Sequence, residues 1–136
     1  MSDEKMVKGV VLAHGTMAQG LVDAVARISG VTGDALVAIS NDGKSPDTLQ
    51  TELEACLGRG PIIIFTDLPS GSCAVTARIC CQAGGEEAIL SGVNLPVLLD
   101  FVFHRDLPLA DLVPRLLTRG RDSMNSVPEF PRSGAS

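Results

Sequence analysis

The sequence predicts an α/β domain built on a doubly wound, mostly parallel four-stranded sheet with helices on both faces, and three observations carry that expectation. Strand-like and helix-like patterns alternate four times along the 136 residues. The run Pro61 to Thr66 (PIIIFT) is continuously apolar, as a strand covered on both faces must be. The strand-like runs give way to short polar segments, His14-Gly15, Asn41-Asp42-Gly43 and Asp67 to Ser72, which suit turns into the next helix.

Val7 to Ala13 (VKGVVLA) is the first strand, rich in valine and ended by His14-Gly15. From Thr16 to Ser29, Met17, Leu21, Val25 and Ile28 recur on one helical face, with Thr16 placed as N-cap and Gly30 as stop. Ala35 to Ser40 reads as the second strand. Ser45-Pro46 then fits a cap followed by proline at the first helical position, opening a helix to Gly58. After the third strand, PIIIFT, Leu68 to Ser72 forms a turn and Ala74 to Gln82 a helix of small residues. Glu86 to Ser91 carries the fourth strand, and Gly92-Val93-Asn94 leads into a helix over Leu95 to His104. Leu107 to Thr118 is amphipathic, with Leu109, Leu112, Val113, Leu116 and Leu117 inward. The chain divides into a domain over 1–127 and a polar tail over 128–136.

Composition excludes several functions. A net charge of −5 and the absence of Trp and Tyr leave neither the cationic surface nor the stacking platforms that nucleic acids require. No apolar stretch approaches the roughly 18 residues of a membrane span, and the charged start from Met1 to Lys8 has no signal-peptide core behind it. The expected location is therefore the cytoplasm, without membrane insertion. Cys56, Cys73, Cys80 and Cys81 contain no CxxC pair and read as reduced packing residues. With His14 and His104 the only histidines, neither at zinc spacing from a cysteine pair, no metal site is expected. No phosphate-binding glycine motif or nucleophile elbow occurs either.

In an open α/β sheet, chemistry gathers at the carboxyl ends of the strands, where strand order reverses. His14, Asp67 and Asn94 each follow a strand directly, so the three are expected to converge there. His14 stands at a strand end before a glycine and a helix start. A phosphoryl group on its ring would meet the N–H groups of Gly15 to Met17 and the positive end of the helix dipole. Asp67 is placed to accept a hydrogen bond from the second ring nitrogen and fix the tautomer, and it reads equally as a turn-capping aspartate. Ser72, with the amides of Ser70 to Cys73, offers further donors to phosphoryl oxygens, although a serine here also suits an ordinary helix N-cap. Asn94 carries less weight, and His104, beside Arg105 and Asp106, reads as a solvated helix end.

Four stretches, taken in order, sharpen this picture: GVVLAHGTMAQGLVDAV (Gly9 to Val25), IIIFTDLPSGSCAVTARI (Ile62 to Ile79), ILSGVNLPVLLDFVFHRD (Ile89 to Asp106) and TRGRDSM (Thr118 to Met124). Together they resemble the enzyme IIA component of the mannose family of the bacterial phosphoenolpyruvate:sugar phosphotransferase system (PTS), over roughly Lys8 to Met124. The resemblance implies a phosphocarrier in which His14 accepts phosphoryl from phospho-HPr and donates it to an enzyme IIB domain, which serves a membrane IIC/IID permease. It implies that Asp67 orients His14 and that Ser72 lies at the active-site turn. Gly15, Thr16, Ser70 and Gly71 would then contribute to phosphoryl binding, with no cofactor, metal or nucleotide required. It also implies a short antiparallel C-terminal strand, supplied by Arg119-Gly120-Arg121 and the residues to about Val127 and often exchanged within a homodimer. The family turn usually reads Asp-x-x-Gly-Gly-Ser-Pro; here Ser70 replaces the first glycine and Cys73 the proline. Two other roles use the same histidine: a regulatory phosphoprotein without sugar transport, and the phosphotransfer subunit of a dihydroxyacetone kinase.

Overall fold

The structure, a computed structural model, describes residues 6–31, 33–58, 60–81 and 85–131. The elements run β1 (Lys8–Ala13), α1 (Met17–Ser29), β2 (Leu36–Ser40), α2 (Pro46–Cys56), β3 (Ile62–Thr66), α3 (Ser72–Cys80), β4 (Glu87–Ser91), α4 (Leu95–Val102) and α5 (Leu109–Asp122). The four strands form one sheet in the order β2-β1-β3-β4, every neighbouring pair parallel. From β1 the chain passes outward to β2, then returns across β1 to lay down β3 and β4. The switch point therefore falls between β1 and β3.

Alternation within the strands explains the continuous apolar runs. Val11 and Ala13 of β1 and Ile63 and Phe65 of β3 join one core with α1, α4 and α5. Val10 and Leu12, with Ile62 and Ile64, join a second core under α2 and α3. Phe65 and Phe101 meet edge to face, with ring centroids 5.2 Å apart, and fix α4 to the sheet. Gly9 makes that approach possible, because a Cβ there would lie 2.7 Å from Phe101 Cε2 and 2.8 Å from Leu36 Cδ1. Gly9→Ala is accordingly expected to lower unfolding free energy by about 1–3 kcal/mol, measurable by urea titration.

The element ends follow local chemistry. The Gly30 N–H bonds the Ala26 carbonyl at 2.9 Å and closes α1. Ser45 Oγ accepts from the Thr48 N–H at 3.2 Å and Asn94 Oδ1 from the Val97 N–H at 3.0 Å, so α2 and α4 carry side-chain caps. Thr16 occupies the N-cap position of α1 but makes no side-chain cap bond. α3 begins at Ser72, two residues ahead of the expected Ala74; the expected end at Gln82 lies outside the described residues.

The C-terminal region departs from expectation. Arg119, Gly120 and Arg121 continue α5, and among the described residues no antiparallel strand follows. The buried Leu112 and Leu116 hold α5 against the core, and Asn94 Nδ2 donates to the Gly120 carbonyl at 3.1 Å. The last turn of α5 lies against α4, with a Cβ at position 120 placed at ordinary contact distance, 3.6 Å, from Val97 Cβ. Pairing these residues with β4 would unwind that turn and break its tie to Asn94. Met124, Val127 and Phe130 are exposed beyond it, while 132–136 of the expected tail lie outside the described residues. Among the described residues, no helix is long and apolar enough to cross a membrane.

Candidate functional site

β1 and β3 end side by side, which brings His14 and Asp67 together at the switch point although 53 residues separate them. Asp67 Oδ2 accepts the His14 backbone N–H at 3.0 Å and lies 2.7 Å from His14 Nδ1. Its other oxygen, Oδ1, accepts the Leu68 N–H at 3.0 Å. The carboxylate is thus held on three sides and its side chain is only 10% exposed, whereas the His14 side chain is 43% exposed and open to an incoming group.

Burial by itself would raise the Asp67 carboxyl, but the bonds from the His14 backbone and ring, and then from Leu68, outweigh it and hold the group below the usual aspartate range. The carboxylate is therefore ionised at neutral pH and acts as an acceptor. Because Nδ1 faces this oxygen, the neutral ring carries its proton there and leaves the Nε2 lone pair free. The lowered folded-state value also sets a pH dependence. The stability Asp67 contributes is complete above the unfolded aspartate pKa of about 3.9 and disappears as pH falls through the lower folded value. Asp67→Asn is expected to lose less stability than the parent chain on acidification below about pH 3.9, measured by urea denaturation at stepped pH.

Two helix starts face this corner. Gly15, with φ +61°, turns the chain from His14 into α1, whose Met17 N–H bonds the His14 carbonyl at 3.3 Å. Gly71, with φ +93°, is the N-cap of α3 and lies against the far edge of the ring: a Cβ on it would sit 3.8 Å from His14 Cε1 and 4.0 Å from Nε2. Both glycines occupy the left-handed region that side chains avoid. Neither α1 nor α3 has a side-chain cap, unlike α2 and α4. The Met17 N–H, expected to face a phosphoryl group, is instead taken by the His14 carbonyl; the remaining uncapped N–H groups and the positive dipole end make each start a setting for an anion.

The other expected residues divide. Ser72 opens α3, and its Oγ accepts from Asn41 Nδ2 at 3.3 Å. Ser70 is exposed in the turn, and Thr16 lies between His14 and α1. Asn94 does not join the cluster, because its oxygen caps α4 and its amide bonds Gly120 at the β4 side of the sheet. His104 bonds the Asp100 carbonyl at 2.8 Å from Nδ1, next to Arg105, whose carbonyl accepts the Val7 N–H ahead of β1. It therefore stands at the opposite end of the sheet from His14.

Three contributors were not anticipated. Ser40 Oγ donates to the Gly15 carbonyl at 2.7 Å, and Asn41 links the end of β2 to both Ala13 and Ser72. Cys73 Sγ lies 3.8 Å from His14 Nδ1. Burial, reinforced by the nearby Asp67 charge, pushes its thiol up. The turn signal Asn41-Asp42-Gly43 was visible in the sequence, but its place beside His14 depends on β2 pairing with β1.

The family model EIIA-man, described as PTS system fructose IIA component, matches residues 8–114. No curated protein sequence matches significantly. Among solved structures, the fold is similar to phosphotransferase system component EIIA from Streptococcus agalactiae, with TM-score 0.83 and 23% identity, covering 90% of this chain and 98% of that one. It is similar to the mannose/sorbose specific IIA subunit of the phosphotransferase system from Enterococcus faecalis, with TM-score 0.78 and 20% identity over 94% and 98% of the two chains. It also resembles a sigma-54 interaction domain protein from Enterococcus faecalis, with TM-score 0.71 and 14% identity over 89% and 95%. At these identities the structural likeness establishes a common fold.

Proposed function

The chain belongs to the EIIA-man family of PTS IIA components, and from that premise we propose that it is a cytoplasmic phosphocarrier whose His14 accepts a phosphoryl group from phospho-HPr and passes it to an enzyme IIB domain. The observation that carries this reading is the 2.7 Å contact between His14 Nδ1 and the ionised Asp67, which directs Nε2 outward as the nucleophile.

In the forward step the Nε2 lone pair attacks the phosphorus of the donor's phosphohistidine. The new N–P bond forms as the donor's N–P bond breaks, and the donor imidazole leaves with the electron pair. Positive charge grows on the His14 ring and is met by Asp67 through Nδ1–H, while the phosphoryl oxygens meet the open starts of α1 and α3. Gly15, Thr16, Ser70, Gly71 and the Ser72 hydroxyl border that volume. Donor and product are both phosphohistidines, so little bond energy changes, and catalysis consists of positioning and charge stabilisation. Met17, Leu68 and Val75, exposed apolar residues of the α1 start, the Asp67 turn and α3, suit docking of a protein rather than a small molecule. The reverse chemistry, with a IIB acceptor, would use the same geometry and serve a IIC/IID permease.

Incubation with phosphoenolpyruvate, enzyme I and HPr tests the proposal: one acid-labile, base-stable phosphate per chain is expected, and no labelling overturns it. The likeness to the sigma-54 interaction domain protein favours a second reading, in which the His14 phosphorylation state controls a partner without sugar uptake. Discharge of the labelled chain onto a IIB protein separates the two, because a purely regulatory phosphoprotein retains its phosphate.

A further inference from the structure

Three metal-ligand groups meet beside the sheet end, and the phosphocarrier reading employs only two of them. One ligand atom each from His14, Asp67 and Cys73 lies within 4.8 Å of the others. Nδ1 is 2.7 Å from Asp67 Oδ2 and 3.8 Å from Cys73 Sγ. We propose that His14, Asp67 and Cys73 form a binding site for a borderline-soft divalent cation of the zinc class, and that the cation and a phosphoryl group exclude each other on His14.

The donor set selects the class of ion. One imidazole nitrogen, one carboxylate oxygen and one thiolate suit zinc or cobalt(II), whereas magnesium and calcium take oxygen ligands. With bonds of about 2.0–2.3 Å, tetrahedral ligand atoms stand roughly 3.2–3.7 Å apart. The nitrogen–sulfur separation is already close to that range. The nitrogen–oxygen separation needs to open by about half an ångström, which follows when the proton holding the two together departs. Three protein ligands leave a fourth position for water. Asp67 Oδ1 stays anchored by the Leu68 N–H, an outer contact that keeps the carboxylate in place.

Exclusion follows from the protons, and it rests on the assignment of Nε2 as the phosphoryl acceptor. Cation binding releases the thiol proton and shifts the ring's single proton, by exchange with water, from Nδ1 to Nε2. The neutral ring then carries its one proton on Nε2, whose lone pair is no longer available to phosphorus. Phosphorylation at Nε2 conversely keeps the proton on Nδ1 and denies that atom to the metal. Separations of 53 and 59 residues from His14 to its two co-ligands explain why no spacing motif announces the site.

Cobalt(II) titrated into the full purified chain tests this directly. A near-ultraviolet thiolate-to-cobalt charge-transfer band should saturate at one equivalent and be displaced by zinc. Cys73→Ser should remove the band, Cys81→Ser should retain it, and Asp67→Asn should weaken cobalt binding by about tenfold or more. Zinc should also slow labelling of His14 by preformed phospho-HPr, with at least tenfold less inhibition in Cys73→Ser. Absence of the band in the parent chain, or its persistence in Cys73→Ser, overturns the proposal. Should Cys73→Ser fail to fold, His14→Ala serves instead, and unchanged cobalt affinity in that variant overturns it equally. A chain that binds cobalt through Cys73 but is never phosphorylated retains the metal site and loses the phosphocarrier reading; the opposite result separates them the other way.

Discussion

His14→Ala is expected to reduce acid-labile phosphorylation to background while leaving the fold intact. The side chain is 43% exposed, so its removal opens no large internal cavity, and Asp67 keeps its bonds from the backbone N–H groups of residues 14 and 68. No other imidazole can take over. His104 lies beyond the opposite end of β1, a strand of six residues spanning about 20 Å. Ser72 and Cys73 are near the site, but a phosphoserine resists the acid treatment that hydrolyses phosphohistidine, and the Cys73 thiol is buried and held protonated. Circular dichroism of the variant beside the labelling assay gives the control for folding. Acid-labile phosphate retained in a folded His14→Ala chain would move the acceptor elsewhere and remove the basis of the mechanism.

How far the sequence reveals such a site depends on whether the signal is local. Each strand and helix was legible because its apolar period and its turn residues lie within a dozen positions; PIIIFT, Ser45-Pro46 and Gly30 are instances. The pairing of His14 with Asp67 could be anticipated from strand ends plus the rule that parallel sheets collect chemistry at their switch points. The same rule misplaced Asn94. That residue follows β4, an outer strand, and strand order is a non-local property that a list of strand ends does not contain. Asn41 escaped notice for the complementary reason, since it reaches Ser72 only because β2 lies next to β1. Cys73 read as a packing residue, which its burial supports, while its distance to the imidazole depends on how α3 starts. The antiparallel C-terminal strand was inferred from resemblance alone, and local chemistry prevails there: the apolar stripe of α5 and the bond from Asn94 to Gly120 keep 119–122 helical.

Asp67→Ala should slow His14 phosphorylation by roughly 10²- to 10³-fold without abolishing it. In the proposed mechanism the carboxylate has three tasks, carried through one oxygen and its partner. It selects the Nδ1–H tautomer, it fixes the ring plane by bonding both the ring and the backbone of the same residue, and it opposes the positive charge that forms as Nε2 takes phosphorus. Alanine removes all three and leaves the Leu68 N–H without its acceptor, so a slower rate alone would not separate positioning from damage to the turn. Asp67→Asn makes that separation. Its amide oxygen can still accept from Nδ1–H, but it carries no charge, and its NH2 group meets the Leu68 N–H with a donor. The asparagine variant should therefore fall between alanine and the parent chain. Nitrogen-15 shifts of the His14 ring supply the readout that a structural role would not move: in its neutral form the parent ring should show a protonated Nδ1 and an unprotonated Nε2, and alanine should shift the neutral ring toward a mixture of tautomers. A variant that labels at the parental rate with the parental tautomer would reduce Asp67 to a turn former, and the orientation of Nε2 would then need another source among Gly71, Cys73 and the start of α3.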